Sequence, residues 1–584
     1  MKFSRLMRIV HSAPLLSGML ATVVIAIATV TVSHASEGSA EPASAARQTV
    51  AARVDCSSLA GVDLTDIGGT GSRIASSKRT TQSGGEFCEV EGRLAPSIGF
   101  KVVLPVAGWT QRYLQVGCGG LCGRIGMEVG AADGCVPLNQ GGFVVAATDM
   151  GHQGMAPEFG RDPQQRVDFA YRSVHLTALA SKKLIKAYYG QQEAFSYFTG
   201  CSDGGREALM EAQRYPQDFN GIIAGAPAML FQFQNSLHHG WLAASNTGDD
   251  GKPVLTASRL PILHKAVLAA CDGLDGQVDG LITDPRVCHF NPETVQCPAG
   301  ATDKSSCLSA REVAVAARIY AGATDAQTGE YLTVGSAQYG SELGWAGVFV
   351  PRTDKEPIFS TLIALGALKN LIFAQDPPDS YTLSDLQFSK KTVDLLKARH
   401  PLLDATNPDL SAFRNAGGKL ILWHGWSDEH ISPLTTIAYH EAVQQQMGKT
   451  VVDSFERLYL LPGVQHCGRG EGPSAIDLLT PMLNWVERGQ APDSVVARAA
   501  TERNDFGQPM AEGPGKPAGA LAASLPKPSS RSRPVFPYPA VAKYSGSGNP
   551  DEASSYVRGE PLAGKTARAW VGEEFFRPYA PSMQ

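Results

Sequence analysis

The sequence predicts an α/β fold carrying a large insertion, and three observations predict it. A short aromatic-rich run, Ala194 to Thr199, leads through Gly200-Cys201-Ser202-Asp203-Gly204 into the helix formers of Arg206 to Arg214, which reads as strand, tight turn and helix. A second apolar run, Lys419 to Trp423, has the pattern of a buried strand and ends in His424-Gly425-Trp426-Ser427-Asp428. Between these, from about residue 229 to 407, the strand and helix alternation lapses into cysteines, prolines and loops. A chain of 584 residues, 43% hydrophobic and 18% charged, can bury a large core and form more than one structural unit. Its net charge of −5 argues against nucleic acid as a partner.

Taken in order, residues 1–35 read as a signal peptide. Lys2, Arg5 and Arg8 precede an apolar stretch from about Leu15 to Val32, and Ser33-His34-Ala35 places small residues at a cleavage site. Because no other stretch looks transmembrane, the mature chain is expected to be secreted or periplasmic, without a membrane partner. Residues 36–228 form the first part of a core, with strands at Phe100 to Leu104, Tyr113 to Val116 and Phe143 to Thr148 and a helix at Val174 to Tyr188. Gly117-Cys118-Gly119-Gly120 follows the second of these strands and is the natural loop to supply an oxyanion donor, although a plain glycine turn fits the same residues.

Gly200-x-Ser202-x-Gly204 between strand and helix is the nucleophile elbow of an α/β-hydrolase fold, in which small flanking residues let a substrate approach the serine. A simple glycine turn packing helix on strand is the bland alternative. An elbow serine needs a base and an orienting acid, in the chain order Ser, Asp or Glu, His. Asp428 follows a strand end and is the expected acid, with Glu429 its nearest rival. His466 follows the strand-like Leu458 to Leu461 and is the expected base, with His424, His430, His152 and His175 as competitors. The N–H groups of Asp203 and Gly119 are the expected oxyanion donors.

Eleven cysteines suit an oxidising compartment. Cys201 precedes Ser202 and Cys467 follows His466, so a hydrogen bond between serine and histidine would bring the two sulfurs within bonding range. Spacing suggests Cys56 with Cys88, Cys271 with Cys288, and Cys297 with Cys307; of Cys118, Cys122 and Cys135, at most two can pair with each other. Paired C-x-x-C spacing with histidines is missing, so zinc is not expected from the cysteines. Inside the insertion, Asp272, Asp275 and Asp279 fall in a glycine-punctuated turn where they could converge with the carbonyls of Gln277 and Leu281. Hard oxygen donors in such a loop suit calcium, and a solvated acidic turn is the equal alternative. The segment 229–407 reads as a lid, 408–500 as the second part of the core, and 501–584 as a segment rich in proline, glycine and alanine followed by an irregular tail.

The chain resembles the tannase and feruloyl esterase family of α/β-hydrolases, which also includes mono(2-hydroxyethyl) terephthalate hydrolase. The resemblance is carried by GCGGLCG (117 to 123), ATDMGHQG (147 to 154), GCSDGGREAL (200 to 209), CDGLDGQVDGLI (271 to 282), WHGWSD (423 to 428) and QHCGRG (465 to 470). It implies Ser202, Asp428 and His466 as a triad, a Cys201–Cys467 disulfide, and a calcium site in the lid at Asp272, Asp275, Gln277, Asp279 and Leu281. One departure stands out: where family members carry a C-terminal cysteine pair around a Pro-Tyr-Pro segment, this chain has Phe536 and Val557, which implies a looser tail.

The expected activity is therefore hydrolysis of small aromatic esters through an acyl-enzyme on Ser202, with no organic cofactor. A terephthalate half-ester is the alternative substrate. A serine peptidase shares the elbow and the residue order and would be told apart by amide against ester turnover. A reading of another class is a catalytically inactive, calcium-stabilised binding protein. Specificity is expected in the lid, where Trp345, Phe349, Phe359 and Phe373 could grip an aromatic acid and Arg352 could favour a free carboxylate.

Overall fold

The computed structural model describes residues 47–82, 85–500, 530–563 and 568–582, all within one compact unit, Ser44–Gln584. The expected signal peptide and most of the proline, glycine and alanine segment lie outside the described residues. Nine strands form the main sheet: β1 (Arg73–Gln82), β2 (Gly85–Leu94), β3 (Ile98–Pro105), β4 (Arg112–Val116), β5 (Phe143–Thr148), β6 (Phe195–Cys201), β7 (Gly221–Gly225), β8 (Lys419–Gly425) and β9 (Glu456–Leu461). Their spatial order is β1-β2-β3-β5-β4-β6-β7-β8-β9. The pairs from β5 across to β9 are all parallel, whereas β1, β2 and β3 run antiparallel to their neighbours. This is the α/β-hydrolase fold.

The central strands are covered on both faces, so each is a continuous apolar run. All five residues of β7 and six of the seven in β8 are buried. Gly225 ends β7 because a side chain has no room there: a Cβ would lie 2.1 Å from the Trp423 ring. Helix Ser173–Tyr189 packs Val174, Ala178, Leu184 and Ile185 inward and stops at Gly190, whose φ of 71° closes the last turn. Helix Asp203–Arg214 follows β6, and helices Pro433–Met447 and Leu479–Arg488 flank the later strands.

Between β7 and β8 the chain contributes no strand to any sheet. Instead, helices Leu260–Cys271, Ala310–Ala321 and Phe359–Ala367 are joined by loops; the second starts from a capping box in which Ser309 and Glu312 satisfy each other's backbone N–H. This insertion has its own apolar cluster, with Leu260, Leu263, Val313, Ile319, Trp345 and Phe349 in it. Trp345 and Phe349 are fully buried there, and the Trp345 indole is spent on Ser341 Oγ at 2.9 Å. They are structural, contrary to the expectation that they could grip a substrate. Phe359 (37% exposed) and the half-buried Phe373 keep that possibility. Arg352 is half-buried, and its backbone N–H donates to Glu356 Oε2 at 3.0 Å.

The described part of the tail is packed, not loose. Ser532–Val535 pairs with Val495–Arg498, and Val541–Tyr544 with Tyr556–Gly559. Trp570, Phe575 and Phe576 enter the main core, where the ring of Phe233 meets those of Trp570 at 5.1 Å and Phe575 at 4.7 Å. Phe536 is half-buried and Val557 is half-exposed on the hairpin.

Candidate functional site

The parallel register sets the loops after β6, β7, β8 and β9 along one edge of the sheet, the carboxyl edge where α/β folds place their sites. Ser202 follows β6 directly with φ 65° and ψ −122°, a conformation that costs a non-glycine residue energy and pushes its side chain out of the turn. The turn is held by Ser202 N–H to Gly225 O at 2.9 Å and by Ala228 N–H to Ser202 O at 2.9 Å. Gly200 and Gly204 are required by closeness, since a Cβ on Gly200 would stand 2.4 Å from the Gly204 carbonyl oxygen.

Asp428 lies in the loop after β8 and His466 in the loop after β9. His466 Nε2 is 2.9 Å from Ser202 Oγ and its Nδ1 is 2.8 Å from Asp428 Oδ2. Asp428 is buried, and its other oxygen accepts the N–H groups of His430 and Ile431, both at 2.8 Å. The rival acid, Glu429, is turned elsewhere and accepts the backbone N–H of His466 at 3.2 Å. His424 sits behind Asp428, with Nε2 at 3.0 Å from Oδ2 and Nδ1 at 2.8 Å from Thr436 Oγ1. His430 lies beside the His466 ring, 4.9 Å between centroids. His152 is stacked on Phe159 and bonded to the Leu121 carbonyl. His175 pairs with Asp218.

Electrostatics follow from this burial. For Asp428, desolvation favours the neutral acid, but the His466 charge and the hydrogen bonds of His424 and His466 win and hold it below the ordinary carboxylate range. For His466, burial opposes the imidazolium, and the charge and hydrogen bond of Asp428 outweigh it, raising its pKa. Burial, then the Asp428 charge, pushes the Glu429 carboxyl up to about 7. His430 is pushed down to about 3 by burial and the His466 charge, so it stays neutral beside the pair.

The glycine loop after β4 packs against the elbow: a Cβ on Gly117 would meet Gly204 Cα at 2.8 Å. Gly119 lies in this loop, which the Cys118–Cys122 disulfide staples. Asp203 opens the elbow helix, and a residue in that place has an N–H with no intrahelical partner. Its carboxylate is gripped by Arg206 at 2.6 and 2.9 Å, and Arg206 is anchored on the carbonyls of Ala170 and Phe169.

Cys201 and Cys467 are joined beside Ser202 and His466, and Cys56–Cys88, Cys271–Cys288 and Cys297–Cys307 are bonded as well. Cys118 and Cys122 pair with each other, and Cys135 is a buried free thiol. In the acidic turn of the insertion, Asp272 accepts the N–H groups of Asp279 and Gly280 at 3.1 and 2.9 Å, Asp275 accepts that of Gln277 at 2.9 Å, and Asp279 pairs with Arg533. Burial raises the pKa of Asp275, and the charges of Asp279 and Asp272 add to it. Gln277 Oε1 is held by the Tyr556 hydroxyl at 2.7 Å, and Leu281 is buried.

The relay residues were legible from local grammar. Sequence reasoning weighed His424 and Glu429 only as rivals and missed their part as supports, His424 behind the acid and Glu429 under the base, and it missed the Asp203–Arg206 pair. The signal for the last was available, since residues three apart on a helix share a face.

A family model described as tannase and feruloyl esterase matches residues 79–559. Mono(2-hydroxyethyl) terephthalate hydrolase from Piscinibacter sakaiensis is 32% identical, covering 82% of this chain and 85% of that protein. A probable feruloyl esterase from Arthroderma benhamiae is 33% identical, covering 67% and 73%. Among solved structures, feruloyl esterase B from Aspergillus oryzae is similar with a TM-score of 0.69 at 26% identity, covering 86% of this chain and 100% of that one. Tannin acyl hydrolase from Aspergillus niger shares the fold, with a TM-score of 0.62 at 21% identity over 86% and 91%.

Proposed function

The chain belongs to the tannase and feruloyl esterase family, and on that premise we propose that it hydrolyses carboxylic esters of small aromatic acids through an acyl-enzyme on Ser202. The observation that carries the reading is the continuous hydrogen-bonded relay from Ser202 through His466 to Asp428. Ser202 Oγ attacks the ester carbonyl and its proton passes to His466 Nε2. Asp428 stays a carboxylate, fixes the tautomer and stabilises the imidazolium. The N–H groups of Asp203 and Gly119 receive the oxyanion. As the tetrahedral adduct collapses, His466 gives its proton to the leaving alcohol, and water, deprotonated by His466, then releases the aromatic acid and restores Ser202. Because the relay needs neutral His466, whose pKa is raised, turnover rises with pH through a value above the free-histidine range.

Calcium fits the acidic turn: three carboxylates, one of them held above its ordinary pKa by burial and its neighbours, are a donor set for a hard cation. Asp272, Asp275 and Asp279 would hold it with the carbonyls of Gln277 and Leu281. The ion would neutralise the turn and brace the insertion without taking part in the chemistry. The five disulfides support export to an oxidising compartment, and no helix among the described residues is long and apolar enough to cross a membrane.

The acyl group is assigned to the phenolic acids, with Phe359 and Phe373 as the insertion's aromatic contacts. A terephthalate half-ester is a second reading favoured by the likeness to a hydrolase of that name. A hydrolysis panel of methyl gallate, methyl ferulate and the half-ester is the test. Turnover of the methyl esters with little of the half-ester is expected; dominance of the half-ester would replace the phenolic assignment. Failure of the folded protein on all three would remove the reading altogether.

A further inference from the structure

A second polar cluster lies on the far part of the elbow helix. Helix Asp203–Arg214 carries Glu211 nine residues beyond Ser202, which is about 13 Å along the axis. Across from it, helix Ser173–Tyr189 presents His175, and Asp218 belongs to the turn that leads into β7. One ligand atom from each of His175, Glu211 and Asp218 lies within 4.8 Å of the other two. These three residues take no part in the relay at Ser202.

Glu211 is what singles the cluster out. It is 0% exposed, no donor group reaches either of its carboxyl oxygens, and the polar group it meets is the carboxyl of Asp218. A buried carboxylate left so is among the most expensive arrangements a core can hold. Burial, followed by the charge of Asp218, holds its pKa well above the ordinary carboxylate range. The charge of Lys182 opposes this shift without overcoming it. Its ammonium is spent on the main-chain carbonyl of Asp218 and on Glu193.

The other two groups are ready to accept a ligand. His175 is 21% exposed in its side chain and Asp218 12%, so the cluster is reachable from solvent on one side and closed by Glu211 on the other. The imidazole is stacked on Tyr215 with centroids 3.6 Å apart and planes nearly parallel, which fixes its orientation. Its Nδ1 contacts Asp218 Oδ2 at 2.6 Å. Tetrahedral zinc with bonds of about 2.0–2.2 Å separates its ligand atoms by about 3.3–3.5 Å. Opening the His175–Asp218 contact by under an ångström and drawing Glu211 in satisfies that geometry.

We propose that His175, Glu211 and Asp218 form a binding site for a divalent transition metal of the zinc type, bound by one imidazole nitrogen and two carboxylate oxygens with water in the remaining position. One nitrogen and two oxygens suit such an ion better than calcium, which takes six to eight oxygens. The site joins the elbow helix to its neighbouring helix and to the entry of β7. Its role is to clamp the helix that presents Ser202, not to act on the ester.

Zinc titration of the full chain tests this. The protein is stripped with chelator, returned to millimolar calcium so that oxygen-rich sites are filled, and titrated with micromolar zinc by calorimetry, with metal content measured after gel filtration. Wild type is expected to bind one zinc more than His175→Ala, or to bind it at least tenfold more tightly, and cobalt should give a visible absorption band that the variant lacks. Glu211→Gln should weaken zinc similarly if it folds; His175 is partly exposed, so its variant keeps the test decisive if Glu211→Gln does not. Equal zinc stoichiometry and affinity in wild type and His175→Ala overturns the site. So does wild type that binds no zinc under these conditions, which would leave Glu211 and Asp218 as a proton-sharing pair.

Discussion

His264 offers the sharpest quantitative test of how the insertion is tied to the relay. It sits on helix Leu260–Cys271 with Nδ1 2.7 Å from Glu342 Oε2 and Nε2 2.8 Å from Glu471 Oε2. Glu342 belongs to the insertion and also accepts the hydroxyl of Tyr320 at 2.7 Å, while Glu471 lies on the stretch that follows His466. Burial works against a charged imidazole here, yet the hydrogen bonds it donates to Glu342 and Glu471 outweigh that and raise His264 to about 10. With an unfolded value of about 6.5, the raised folded value means that the stabilisation is complete below pH about 6.5 and is lost as pH climbs through about 10. Between pH 7 and pH 9 the loss comes to about 2.5 kcal/mol, which in a protein of this size moves the melting temperature by about 2 °C. Replacing His264 by glutamine removes this pH dependence, and it also lowers stability at neutral pH by about 3 kcal/mol because the buried Glu342 and the partly buried Glu471 lose their cation. Calorimetric melting of both proteins at pH 7, 8 and 9 reads the effect as a difference between slopes. Identical slopes would refute the clamp.

Other outcomes are equally direct. Ser202→Ala should lose ester turnover by several orders of magnitude while remaining folded, with His466→Ala alike and Asp428→Asn milder; a tenth of wild-type activity in Ser202→Ala would sink the assignment. Replacing Cys201 and Cys467 together by alanine should lower kcat at temperatures where the protein is still folded, because the Ser202–His466 hydrogen bond tolerates little slack; full activity in that folded variant would make the disulfide purely structural. Exhaustive chelation of calcium should lower the melting temperature and weaken substrate binding, and elemental analysis of the untreated protein should find the ion. Unchanged stability with no bound calcium would remove it from the turn.

What could be read from the sequence was whatever is written locally. The elbow is a strand, a turn and a helix within about twenty residues, and the order of acid and base along the chain pointed to Asp428 and His466. Strand β1 escaped because it is an edge: its sequence, RIASSKRTTQ, is polar on both faces, and none of its residues is buried. Strand β7 escaped because its five residues, GIIAG, begin and end in glycine and give no period to detect. The fate of Trp345 and Phe349 was decided by the insertion's own core, and an aromatic side chain carries the same letters whether it faces a ligand or another helix. Cys118 and Cys122, four residues apart, needed the actual turn geometry to be separated from Cys135. The supports of the relay, His424, Glu429 and His430, depend on how two loops after different strands face each other, which no window of sequence contains.

The last strands bear on how the molecule comes into being. Arg533 reaches Asp279, Tyr556 holds Gln277, and Arg568 donates to the Ala321 carbonyl, so residues near the end of the chain complete the acidic turn and the helices of the insertion. Asp272 and Asp275 find their partners inside the turn, but Asp279 has the guanidinium of Arg533 only once the later strands have docked. The insertion's final packing therefore depends on residues more than a hundred positions further along the chain, as does the part of the core that Trp570 and Phe575 fill. Shortening the gene at its 3′ end would then cost the middle of the protein, not merely its end.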